Sequence, residues 1–327
     1  MSRNLFDKAP RIITHSSAEC FQSCRVKYDY RYNREIIPSE PQAALDFGTA
    51  IHAGLEFWFK YNTAKGAIEA AVEMGAKRGL SSENLCKVQA LIERYTEIYE
   101  HEDFEIIEVE KPFRIKLQNP RTLKYSHTFQ FNGKIDGLIK KGSSFYILEH
   151  KTTTAINDCY IRQLEIRAQT ALYAAAMEAE GYPIKGAIYD IIEKPGIKMG
   201  KGETEEEFEA RKAALLAKSK TGKTTAQRKE AETPDEFMAR CREKINKDSF
   251  RRVEILTDIH RKREAMDNLW RTAKDMIRPD IYPNTGACII FGKECPYINL
   301  CRNHGNLEAC GDEYTTQKAY SELEVEE

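Results

Sequence analysis

Apolar positions along the chain alternate between two periods, and each change of period marks an element. Over residues 43–61, Leu45, Ile51, Leu55, Trp58 and Phe59 form an apolar stripe at helical spacing. Residues 64–79 and 83–100 predict two more helices, and a cap-rich Thr14-His15-Ser16-Ser17 precedes a short one at 18–24. Strict alternation then takes over at 104–117, breaks at the turn Gln118-Asn119-Pro120-Arg121-Thr122, and resumes at 125–131. Two short apolar runs, 135–139 and 145–148, flank Lys140-Lys141-Gly142-Ser143-Ser144 and predict a β-hairpin. One helix over 157–181 and a buried strand over 184–192 complete a hairpin–helix–strand order, which a mixed sheet with a crossover helix satisfies.

Beyond Lys194-Pro195-Gly196 the pattern loses its apolar content. Residues 200–248 are highly charged and carry two helical stretches, 203–218 and 235–245, expected to form an insertion that is mostly a solvated face. Its Lys218, Lys220, Lys223 and Arg228 are available to a nucleic-acid backbone, which rewards charge without reading sequence. Gly222-Lys223-Thr224-Thr225 imitates the end of a phosphate loop, but Ala217 stands where that loop needs glycine and no apolar strand precedes it, so nucleotide binding is rejected. A short strand at 250–256 and a long helix at 257–277, basic at His260-Arg261-Lys262-Arg263, lead into a loop rich in cysteine.

Composition narrows the function classes. A chain of 327 residues with a net charge of −1 can bind nucleic acid only through a local basic groove. Every apolar run is far shorter than a membrane span, and the first residues lack an apolar signal core. Nine cysteines, an odd number, do not read as a disulfide scaffold; metal ligation in a reducing cytosol fits better.

Two groups of residues carry candidate chemistry. Asp136 lies on the first hairpin strand, and Glu149 and Lys151 close the second. Residues two apart on a strand share a face, so Glu149 and Lys151 project together while His150 points away. Pairing in the simplest register brings Asp136 alongside them. Two neighbouring carboxylates repel unless a cation sits between them, and hard oxygen ligands suit Mg²⁺ or Mn²⁺. Such an ion activates water and stabilises charge on a phosphate, while Lys151 can position the water or neutralise the transition state. The second group is Cys288-x6-Cys295-x5-Cys301-x8-Cys310, too dense in a loop for core packing and expected to ligate metal.

Gly133-x-x-Asp136 followed by Glu149-His150-Lys151-Thr152-Thr153 resembles the PD-(D/E)XK nuclease superfamily, and most of all the branch of RecB-type nuclease domains and iron–sulfur CRISPR-associated nucleases. Phe47-Gly48-Thr49-Ala50-Ile51-His52 is similar to that branch's upstream histidine motif, and Gln169-x-x-x-Tyr173 to its downstream helix motif. The resemblance implies a restriction-endonuclease-like α/β fold: a mixed sheet flanked by helices, with a helical insertion and a cysteine-rich C-terminal metal-cluster lobe. It implies that His52, Asp136 and Glu149 hold Mg²⁺ or Mn²⁺ with help from the His150 carbonyl, and that Gln169 and Tyr173 shape the site around Lys151. Glu56, one turn from His52, is read as a solvated acid. The resemblance also implies a [4Fe–4S] cluster held by Cys24, Cys288, Cys295 and Cys301, with Cys20 competing for the first position. Structural Zn²⁺ on Cys288, Cys295, Cys301 and Cys310 remains the alternative.

The function expected from these residues is a DNA exonuclease of low sequence specificity acting on DNA ends, in recombination, repair or phage DNA processing. It is expected in the cytoplasm, and the resemblance implies a bacterial or phage-encoded enzyme working beside a strand-annealing recombination protein. A non-catalytic DNA-binding adaptor is the rival. One elaborated domain is expected: helical part 12–100, catalytic core 101–196, insertion 197–249, C-terminal helix and cysteine cluster 250–312, acidic tail 313–327.

Overall fold

The computed structural model describes residues 11–40, 43–219, 221, 223–278, 280–290 and 292–323. Lys220, Gly222 and the last four residues of the acidic tail lie outside them. The N-terminal part comprises β1 (Arg11–Ile13), α1 (His15–Ser23), α2 (Arg25–Tyr28), a π-helical turn (Asp29–Asn33) and β2 (Ile36–Pro38). α3 (Ala43–Tyr61), α4 (Ala64–Lys77) and α5 (Ser82–Ile98) follow. The core is β3 (Glu105–Gln118), β4 (Tyr125–Lys141), β5 (Ser144–Thr153), α6 (Asp158–Ile166), α7 (Ala168–Ala179) and β6 (Ile184–Glu193). The remainder is α8 (Glu205–Lys218), α9 (Pro234–Lys244), β7 (Phe250–Leu256), α10 (Ile259–Met276), β8 (Ile289–Ile290), β9 (Lys293–Glu294), α11 (Ile298–Arg302) and β10 (Tyr314–Thr316).

The main sheet runs β1-β4-β5-β6-β7, with β3 on the other edge of β4. It is mixed: β1 lies parallel to β4 and β5 parallel to β6, while the remaining pairs are antiparallel. The β5-α6-α7-β6 crossover accounts for the parallel pair, because parallel neighbours need a long connection. One apolar core joins α7 and α10 to the sheet; a second joins α3, α4, α5 and α9 to its other side. Helices therefore cover both faces, as strands buried on both sides require.

β4 positions the site. One of its edges carries two partners end to end, β1 against Phe129–Phe131 and β5 against Gly137–Lys141, leaving residues 132–136 between them. Past Leu148, β5 pairs with β6 alone. The sheet thus forks beside Asp136. Gly133 lies under the Phe113 ring, where an added Cβ would sit 2.4 Å from a ring carbon, so only glycine lets β3 cover this part of β4.

Four expectations from the sequence need correction. The strands expected at 125–131 and 135–139 are one continuous β4, since Asn132 is buried rather than looped out. The turn after it is shorter than the charged cluster predicts, because Lys141 still pairs with Ser144 and Gly142 takes the tight bend at φ +61°. The helix over 157–181 breaks at Arg167, whose extended backbone (ψ 139°) separates α6 from α7. Finally, α9 is not a solvated face. Phe237, Met238 and Cys241 recur at helical spacing and are buried in the second core, while α8 buries no residue.

Candidate active site

The hairpin register sets the first-order geometry. Gly137 faces Leu148, so Asp136 falls at the mouth of the fork, where its Oδ2 accepts the His150 backbone N–H at 2.7 Å. Across the fork, Lys151 Nζ donates to Glu149 Oε1 at 2.5 Å, and the two side chains share one face of β5. Gln169, in the first turn of α7, donates its amide to the same Glu149 oxygen at 2.7 Å. The break at Arg167 starts a new helix one residue before Gln169. Gln169 thus restrains the carboxylate, not the lysine. Tyr173, one turn on, is buried edge-on to Phe113 and His15.

α3 brings His52 to the other side of Asp136, with Nδ1 3.5 Å from Oδ1. The third member of the group is one that sequence reasoning missed. Glu110 on β3 lies between the register pairs Val109↔Gly137 and Lys111↔Ile135, opposite Asp136. His52, Glu110 and Asp136 each offer a ligand atom, and these atoms lie within 4.8 Å of one another. Two carboxylates and an imidazole at that spacing suit a hard divalent cation with room left for water. Glu110 adopts φ 52°, which is left-handed backbone rare outside glycine, and forms an ion pair with Lys134. The only hint in the sequence was a run of charges, Glu108-Val109-Glu110-Lys111, inside an otherwise alternating strand. Glu149 stands outside this trio, its Oε1 held by Lys151 and Gln169.

The electrostatics divide the acids. Burial disfavours charge on Asp136, but His52 above all, with His150 and Lys151, outweighs it and holds the carboxyl well below its usual range. Glu149 moves the other way, because burial and the Asp136 charge exceed what Lys151 returns. Burial also works against His52, yet Asp136 pushes it up to about 9. With 34 % of the His52 side chain open to solvent, water moderates that attraction. Lys151 keeps its proton: burial opposes the charge, and Glu149 and Asp136 more than restore it.

His150 turns its ring to the other face of the sheet, stacked on Phe59 at 5.4 Å with Nδ1 3.2 Å from Asp190 Oδ2. Its ring also meets His52 edge-on at 5.9 Å, so the side chain buttresses the fork from behind while its backbone N–H reaches Asp136. Tyr95 donates to buried Asp190, and Arg252 reaches it at 3.5 Å while bridging Tyr95 and Glu102. This buried polar network was missed in the sequence, because its members come from α5, β5, β6 and β7.

Cys24 ends α1 and receives the Asn284 N–H at 3.4 Å, which ties the start of the chain to the late loop. Burial raises the Cys301 thiol, and the neighbouring thiols of Cys295, Cys24 and Cys288 push it the same way. Cys20 also stands beside Cys24 and Cys295 and is pushed up to about 11, chiefly by burial. Cys310 is buried in a small core with Tyr30, Ile36, Tyr297 and Leu300, against which Cys295 and Cys301 also pack, and its sulfur is engaged by Asn303 and the Asn306 carbonyl. Tetrahedral zinc, with Zn–S bonds of ~2.3 Å, gathers its sulfurs within about 4 Å of each other. Among the described residues no three cysteine sulfurs lie within 4.8 Å. A four-iron cluster spaces its ligands more widely, since each sulfur meets a different iron.

No helix among the described residues is long and apolar enough to cross a membrane. No curated protein matches the sequence. Among solved structures, the one described as "Crystal structure of SSO0001" is similar over 84 % of this chain and 80 % of its own, at 11 % identity and a TM-score of 0.35, too distant to carry an argument. The family model described as the PD-(D/E)XK nuclease superfamily matches residues 12–302. A mixed sheet flanked by helices fits the fold of that family, whose members use divalent metals. The chain belongs to the PD-(D/E)XK nuclease superfamily.

Proposed function

We propose that this protein is a Mg²⁺- or Mn²⁺-dependent deoxyribonuclease that degrades DNA from its ends with low sequence specificity. The observation that carries the reading is the clustering of His52, Glu110 and Asp136 ligand atoms within 4.8 Å, at a fork whose other arm presents Glu149 and Lys151. His52, Asp136 and Glu110 hold the cation in this reading, and Glu149 and the His150 carbonyl complete the set from β5. The bound ion supplies a nucleophilic water and neutralises charge on the scissile phosphate. Lys151, held protonated, orients that water and meets the developing negative charge. Gln169 keeps Glu149 in place, and Tyr173 packs behind it.

Cys24, Cys288, Cys295 and Cys301 hold a [4Fe–4S] cluster in the same proposal, stapling the two ends of the chain. That Cys301 lies close enough to Cys24, as well as to Cys288 and Cys295, for their charges to act on it supports this set over the zinc set. The cluster is structural, since phosphodiester hydrolysis moves no electron. We further take residues 1–327 as one elaborated nuclease domain, and a strand-annealing protein of recombination as its partner.

The test is incubation of an anaerobic preparation with end-labelled linear DNA and covalently closed circular DNA in Mn²⁺, beside Lys151→Ala. Loss of the linear form alone, absent in the variant, is the expected result. Equal activity in wild type and variant would overturn the reading of the site, and cutting of the closed circle would overturn the requirement for an end.

A further inference from the structure

The carboxylate that completes the cation-sized group already has a positive partner. Lys134 ion-pairs with Glu110, which joins His52 and Asp136 in the trio. The strands bring the pair together. Lys134 and Asp136 lie two apart on β4 and share one face, while β3 runs alongside with Pro112 opposite Lys134. Glu110 is held at φ 52° with its side chain only 13 % exposed, so it is the fixed member. The Lys134 side chain is 39 % exposed and rides on a flexible four-carbon stem, so it is the member able to move.

Two cations share Glu110 poorly. An ammonium and a divalent ion a few ångströms apart repel each other, so the ion takes this ligand best once the ammonium has left. A second acid is within reach. Glu56 lies one turn from His52 on α3 and therefore on the same side of that helix. The three acids that act most on Lys134 are Glu110, Glu56 and Asp136, in that order. Two of them belong to the trio, which leaves Glu56 as the partner outside it. Glu56 accepts Lys60 at Oε1, 2.5 Å away, and a carboxylate has room for a further donor.

We propose that Lys134 is a tethered stand-in for the metal: it neutralises Glu110 until a divalent cation arrives, then yields that carboxylate and crosses to Glu56. The inference rests on the metal centre of the nuclease reading above and adds the residue that governs its loading. Two neighbouring carboxylates repel each other without a cation between them. Lys134 relieves that repulsion in the metal-free protein and keeps the ligands in place, and the same charge then competes with the incoming ion.

The test is Mn²⁺ binding to the whole protein, followed by electron paramagnetic resonance at low salt and about pH 8, above the ordinary carboxylate range. Lys134→Met keeps the stem and removes the charge, and is expected to tighten binding by about tenfold. Lys134→Arg keeps the charge and is expected not to tighten it. Glu56→Gln denies the ammonium its second partner; it is expected to weaken binding by about fivefold alone, but by less than about twofold beside Lys134→Met. A gain of affinity cannot come from damaged folding, so the first arm holds even if that variant melts lower. Unchanged or weaker binding by Lys134→Met, or equal tightening by Lys134→Arg, would overturn the role of Lys134. Unchanged binding by Glu56→Gln, or an equal effect of Glu56→Gln in both backgrounds, would overturn the transfer. The metal centre has its own control: wild-type protein that binds Mn²⁺ no more tightly than Asp136→Asn would overturn the nuclease reading of the trio, whatever Lys134 does.

Discussion

At the scale of single residues, the fork assigns different work to chemically similar groups. Asp136 is held ionised among cations, whereas Glu149 is pushed toward its neutral form and kept in place by Lys151 and Gln169. Lys151→Ala removes the one fixed cation on β5 and is expected to lower Mn²⁺-dependent DNA hydrolysis by at least about 10²-fold, measured in single turnover. Glu110→Gln removes a carboxylate from the cation-sized cluster while leaving its shape. Titration with Mn²⁺ followed by electron paramagnetic resonance is expected to show affinity lowered by about tenfold or more; unchanged affinity would remove Glu110 from the ligand set. The contrast between these positions also explains what could be read in advance. Asp136, Glu149 and Lys151 were legible because a hairpin and a period of two suffice to bring them together. Glu110 was not, because its position depends on a third strand, whose register shifts between Ile106 and Glu108, and on an uncommon backbone conformation.

At the scale of elements, long periodic stretches were legible and local interruptions were not. The bounds expected for the helix at 43–61 match α3, whereas the break at Arg167 has no glycine or proline to announce it. The charged segment divides in the same way. In α9, Phe237 is completely buried, so Phe237→Ala is expected to cost about 3–5 kcal/mol in chemical denaturation. Leu215→Ser on α8, at a position 41 % exposed, is expected to stay within about 0.5 kcal/mol. The network that crosses α5, β6 and β7 adds a pH dependence. Burial would raise Asp190, but His150, Arg252 and Tyr95 hold it below its ordinary 3.8. A lowered acid stabilises the fold above the unfolded value and loses that contribution as pH falls through the folded one. Thermal melts are thus expected to drop below pH 3.8 in part through Asp190. Asp190→Asn should melt lower at neutral pH, by about 3–5 kcal/mol of stability, and show a shallower acid limb. An acid limb identical to that of the wild type would rule this group out.

At the scale of the whole molecule, the ends of the chain meet. β2 pairs with β10, Tyr297 donates to the Ile36 carbonyl, and Asn284 binds both Cys24 and the Ser23 carbonyl. The sequence pointed to this closure only through the spacing of its cysteines. A cluster on Cys24, Cys288, Cys295 and Cys301 makes a specific demand on variants. Cys24→Ser is expected to lose iron and the brown colour of an anaerobic preparation and to melt lower, while Cys310→Ser keeps its iron. Zinc without iron in elemental analysis, lost on Cys310→Ser, would reverse the assignment of ligands.

The Tyr297–Ile36 hydrogen bond joins residues 261 positions apart. At usual translation rates of about 5–20 residues per second, the early segment emerges tens of seconds before its partner. Cys24 must spend that interval as an open thiol on a nascent chain. In the cluster proposed above, loading of iron would then fall near the end of biosynthesis, because Cys288, Cys295 and Cys301 all follow Cys24 by more than 260 residues.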